Sequence, residues 1–149
     1  LNFQDLAKEL GVSNLTIQSW IGLLERSQIV FLLQPYYRNL GKRIVKSPKL
    51  YFLDTGLVSY LSGNSNREII QNGPMAGALF ENFVVAEIYK YFCNRGIKAP
   101  LYHFRDSQGV EVDIVIEHES KHLLVEIKTT MTPKKDPFST RTETSLSAG

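Results

Sequence analysis

Residues Val110–Glu117 alternate apolar and polar side chains almost strictly, and a second run with the same habit, Lys121–Lys128, follows at once. A period of two belongs to a half-buried strand. Val110, Val112, Ile114 and Ile116 point one way, and Glu111, Asp113 and Val115 the other. In the second run Leu123, Val125 and Ile127 share one side, and Leu124, Glu126 and Lys128 the other. With Glu119 and Ser120 at the tip of a hairpin, Asp113 stands opposite Glu126 and Glu111 opposite Lys128. Side chains directly opposite share a face, with Cβ atoms about 5 Å apart. A third run, Leu101–Arg105, extends the pair to a three-stranded antiparallel meander.

Two carboxylates forced together repel unless a positive charge lies between them. A divalent cation with oxygen ligands meets that need, and Mg²⁺ (or Mn²⁺) leaves waters free for chemistry. A metal-bound water loses its proton more easily, and the metal offsets charge on a phosphoryl oxygen. Lys128 is then placed to orient the water or to neutralise the phosphate. The plainer alternative is an ordinary surface with a Glu111–Lys128 cross-strand ion pair.

Pro74 opens a helix that runs to about Asn94 and is stopped by Gly96. Leu79, Phe80, Phe83, Val84, Val85, Ile88, Tyr91 and Phe92 leave it little polar face, so burial on most sides is expected. Glu81 lies among these residues and needs a partner, since an unpaired buried carboxylate is costly. Arg105 is a candidate for that partner.

The chain begins with Phe3, Leu6, Ala7 and Leu10 at helical spacing, then Gly11, then Ser13 as an N-cap. Ile17, Trp20, Ile21 and Leu24 form the apolar stripe of a second helix, with Trp20 expected in the core. Helix, short turn, helix outlines a helix-turn-helix. Two strand-like runs follow, Ile29–Leu33 and Leu50–Leu53. The connection between them carries Arg38, Lys42, Arg43, Lys46 and Lys49 and no acid. A hairpin with a basic tip after a helix-turn-helix is the outline of a winged helix. Asp54–Ser62 reads as a short helix packed back on it. Basic side chains on a wing lie along phosphates, and Asn14, Thr16, Gln18 and Ser19 are placed to touch bases or backbone from the second helix. Docking onto a protein is the alternative.

The first 73 residues carry eight basic and five acidic side chains, and the remainder nine and ten. Two modules with different partners are therefore expected: 1–63, a linker over 64–73, and 74–130. The tail 131–149 is polar and without period, either disordered or an artefact. A composition 43% hydrophobic and 21% charged excludes a wholly disordered chain. The single cysteine, Cys93, fits a reducing cytoplasm. No apolar run reaches membrane-spanning length. His103 reads as a polar strand residue, and His118 and His122 as exposed flanks of the hairpin tip. The chain opens at Leu1 within a helical pattern and reads as a piece of a longer protein.

A helix bearing Glu81, then Asp113 on one strand and Glu126-x-Lys128 on the next, resembles the PD-(D/E)xK nuclease fold. The segments PKLYFLDTGL (48–57), GALFENFVVAEIYK (77–90), HFRDSQGVEVDIVIE (103–117) and LLVEIK (123–128) resemble, in order, the C-terminal half of a large bacterial and archaeal family of AAA+-type ATPases. That family carries an AAA+ module, a winged helix, and a nuclease-like domain of unknown function. The resemblance implies an α/β (α+β) chain: a winged helix followed by a truncated restriction-endonuclease-like domain of one helix and a three-stranded meander. It implies Mg²⁺ (or Mn²⁺) held by Glu81, Asp113 and Glu126, with Lys128 assisting hydrolysis. No G-x-x-x-x-G-K-[ST] motif occurs, so ATP is not expected to bind here. The family's fold continues past Glu-x-Lys, so the sheet is expected to be completed by another chain, as in a homo-oligomer, or left with an open edge. The expected function is DNA binding coupled to metal-dependent phosphodiester hydrolysis, beside an ATPase module of the same protein. The alternative is a non-catalytic DNA- or protein-binding regulatory module.

Overall fold

Asn2 begins the first helix, α1 (Phe3–Leu10), by accepting hydrogen bonds from the N–H groups of Gln4 and Asp5. Gly11 ends it in the left-handed region, φ 66°, where a side chain would be strained. Ser13 caps α2 (Asn14–Arg26) through the Thr16 N–H. The chain then runs into β1 (Val30–Pro35) and β2 (Lys49–Phe52), which pair antiparallel. Asp54 caps α3 (Thr55–Leu61). A short α4 (Arg67–Asn72) lies in the stretch read as a linker, and α5 (Ala76–Cys93) follows. Strands β3 (Leu101–Arg105), β4 (Glu111–His118) and β5 (Lys121–Val125) complete the order. This computed structural model describes residues 1–36, 47–63, 66–106, 109–118 and 121–129. Among the described residues no helix is long and apolar enough to cross a membrane.

The protein is mixed α+β, and among the described residues five strands form one sheet in the order β2-β1-β3-β4-β5. The join across the middle is parallel: Gln34 lies beside Tyr102 and Pro35 beside His103. The strands before the 64–73 stretch and those after it therefore share a sheet. The hairpin register is the one the alternation predicts, with Ile114 opposite Val125 and His118 opposite Lys121. The third ladder breaks the alternation. Tyr102 pairs with Val115 but Phe104 with Val112, so β4 carries one more residue than β3 at the level of His103. Such a bulge re-aims the side chains around it. Ile114 packs in the core between sheet and α5, with Phe31, Leu33, Tyr51, Val85, Ala86 and Leu101. Val112 packs with Val115, Tyr36 and Phe104 in a separate cluster. The expectation that Val110, Val112, Ile114 and Ile116 share one face is thus corrected.

Two further expectations about burial change. Phe80 and Phe83 are 41% and 49% exposed, so α5 is not buried on most sides. It buries the face of Leu79, Asn82, Val85 and Ala86 against the sheet. Trp20 is half exposed, because α2 turns only Ile17 fully inward.

Candidate acidic site

Asn82 fixes where the site is built. Its side-chain carbonyl accepts the Phe52 N–H at 2.8 Å, and its amide donates to Phe52 O and to Thr55 Oγ1, both at 3.0 Å. A side-chain amide thus does for the edge of β2 what a neighbouring strand would do. It locks β2 to α5 one residue away from Glu81.

With that contact made, Lys49 and Tyr51, two residues apart on β2, both reach Glu81. Tyr51 donates to Glu81 Oε1 at 2.5 Å, and Lys49 Nζ lies 3.3 Å from the same oxygen. Lys49 Nζ also lies 2.8 Å from Glu111 Oε1 and 3.8 Å from Asp113 Oδ1. Asp113 Oδ2 accepts the Ile127 N–H at 2.9 Å. Arg105 Nε stands 3.8 Å from Glu111 Oε2. Arg105 therefore pairs with Glu111 and not, as expected, with Glu81.

The titration shifts follow from this geometry. Burial lifts the Asp113 carboxyl above its usual range, and the charges of Glu81 and Glu126 add to that, outweighing the Ile127 N–H and Lys49. Burial also pushes Glu111 up, but the hydrogen bond and charge of Lys49, with Arg105, leave it below its usual value. For Lys49, burial is overcome by Glu111, Glu81 and Asp113, and the ammonium is held above its ordinary pKa. Burial and the Glu81 acceptor push the Tyr51 hydroxyl well up.

Of the residues singled out from the sequence, Glu81 and Asp113 meet at Lys49. Glu126 and Lys128 follow the last ladder pair of β5 and bond to each other, Nζ to Oε1 at 2.5 Å. Asn14, Gln18 and Ser19 are exposed on α2, while the Thr16 hydroxyl is engaged by Ser13 at 2.8 Å. Arg38, Lys42, Arg43 and Lys46 lie outside the described residues, as does the tip of the proposed wing. His122 is not an exposed flank: its Nε2 lies 2.6 Å from the Tyr36 hydroxyl. His103 is a strand residue, on β3, and is buried, 2% exposed, with Nε2 3.2 Å from Ser47 O and, among the described residues, no hydrogen-bond partner for Nδ1.

Lys49 and Tyr51 are the site residues that sequence reasoning missed. Their signal was present: alternate positions of one strand share a face. Lys49 was instead grouped with the basic connection that precedes it.

The expected metal can be tested against these positions. Among the described residues, no group of three His, Cys, Asp or Glu side chains is arranged to hold a metal ion. The centre of the carboxylates is taken by an ammonium. As placed, the residues do not fit a divalent metal. Replacing Asp113 by Asn keeps an acceptor for Ile127 N–H and removes a carboxylate already pushed toward its neutral form. Asp113→Asn is therefore expected to change stability by less than about 1 kcal/mol, measured by urea unfolding.

A mixed α+β protein with one five-stranded sheet and an acidic cluster at the meeting of β2, β4 and α5 is thus defined. Residues 1–68 match the family described as a domain of unknown function, DUF8612, and residues 76–146 match another, DUF4143. DUF4143 is a domain found in AAA-ATPase-associated proteins. An uncharacterized protein of Mycobacterium tuberculosis is 34% identical over 129 residues, covering 87% of this chain and 28% of that protein. An uncharacterized protein of Mycobacterium bovis shows the same identity and coverage. The chain thus spans just over a quarter of the length of these relatives. No solved structure matches it.

Proposed function

We propose that this chain is a non-catalytic DNA-binding module of a longer, ATPase-associated protein. What supports the non-catalytic reading is that the Lys49 ammonium lies among the Glu81, Glu111 and Asp113 carboxylates, at 3.3, 2.8 and 3.8 Å. Glu126 pairs with Lys128. DNA contact falls to α2, where Asn14, Gln18 and Ser19 are exposed, helped by the basic run between β1 and β2. Duplex binding in a gel-shift assay, weakening steeply with salt, is the expected result. Supercoiled plasmid is expected to stay intact with the wild-type protein in Mg²⁺ or Mn²⁺. Nicking that Lys128→Ala abolishes would overturn the non-catalytic reading in favour of the metal-dependent hydrolase.

A second reading rests on Leu15 and Leu23. Both are well exposed and two helical turns apart on α2, 76% and 56% accessible. Exposed leucines suit a protein partner better than phosphates. Duplex binding unchanged in Gln18→Ala and Ser19→Ala, or absent altogether, would favour protein docking.

A further inference from the structure

We propose that Lys49 is the resident cation of the acidic cluster, standing where the nuclease-like resemblance would put a divalent metal and tying β2 to β4 and α5. The proposal rests on the non-catalytic reading of the same acids. It adds to that reading a named residue and a structural task.

Three observations converge on it. First, the Lys49 ammonium has oxygens of Glu81, Glu111 and Asp113 at 3.3, 2.8 and 3.8 Å, from two different elements. No single exposed ion pair has that arrangement. Second, the second oxygens are engaged elsewhere: Glu111 by Arg105, and Asp113 by the Ile127 N–H. A metal entering between the acids would have to displace Lys49 and compete for these as well. Third, Lys49 comes from the part that matches one family, and its carboxylate partners from the part that matches another. The acids therefore act as a latch between the two matched segments. Lys49 and Arg105 bring two positive charges to three carboxylates. Burial, with the charges of Glu81 and Glu126, raises the Asp113 carboxyl above its usual range.

The test uses the full chain. Isothermal titration of the wild-type protein with Mn²⁺ is expected to show no saturable heat, and Mn²⁺ is expected to leave its Tm unchanged. Lys49→Met is expected to lower Tm by roughly 5 °C, because three carboxylates lose their shared counter-charge. Lys49→Arg retains most of the stability. Glu111→Gln in the Lys49→Met background recovers part of the loss. Saturable Mn²⁺ binding by the wild type that disappears in Asp113→Asn overturns the proposal. So does a Lys49→Met protein with wild-type Tm, or a double variant with no recovery. If Lys49→Met does not fold, the wild-type titration decides. Mn²⁺ bound without plasmid nicking overturns Lys49 as the resident cation and leaves the non-catalytic reading standing. Nicking that persists in EDTA does the reverse.

Discussion

Ile114→Ala is expected to lower the unfolding free energy by about 4 kcal/mol, and Tm by roughly 12 °C. Ile114 is completely buried in the core cluster that includes Leu101 of β3, and it stands opposite Val125 on β5. Truncation removes three methylene-sized groups and leaves a cavity, since the packed sheet and α5 cannot collapse onto it. Its position at the β4 bulge raises the cost. The extra residue of β4 opposite His103 turns Ile114 toward α5 beside Asp113, and the core contacts of Ile114 hold that turn in place. Leu123→Ala on β5 is the control. Its side chain is 62% exposed, and the change is expected to stay within about 0.5 kcal/mol. Urea unfolding of both variants measures the contrast. Equal losses would mean that the core does not run through Ile114 as described.

How much of this was legible beforehand depends on the range of the interaction. The hairpin register was, because alternation and a two-residue tip fix it locally. The cap at Ser13 was, because it acts within three residues. The parallel β1–β3 join was not. It links residues far apart in the chain, and nothing in either strand's own pattern names its neighbour. Nor was the bulge, since Val110–Glu117 carries no glycine or other local mark of an extra residue. Both hidden features decide the site. The bulge turns β4 at Asp113, and the shared sheet delivers Lys49 to meet it. Glu81 was singled out correctly as a carboxylate in need of a partner. Its partners came from β2, and Arg105 was taken by the nearer Glu111.

His103 gives the second large effect, this time through pH. The ring is buried beside Lys49, with Glu111 as the facing acid. Burial first, then the Lys49 charge, lowers its pKa from 6.5 to about 4, against the weaker pull of Ser47 O and Glu111. The unfolded chain therefore takes up a proton that the folded protein refuses. With νU greater than νN between these values, stability rises with pH across the window and is lost as pH falls from 6.5 toward 4. The full loss is on the order of 3 kcal/mol. Other groups titrate nearby and must be separated. Glu111, held low by Lys49, contributes stability that disappears only at more acid pH. Asp113, held high, acts with the opposite sign and gains as pH falls. His103→Gln isolates the histidine, since glutamine retains a donor for Ser47 O but does not titrate. Urea unfolding from pH 7 to pH 4 is expected to give a wild-type curve that falls more steeply than that of His103→Gln. Two parallel curves would mean that His103 accepts its proton inside the fold, and that its orphaned Nδ1 has found a partner.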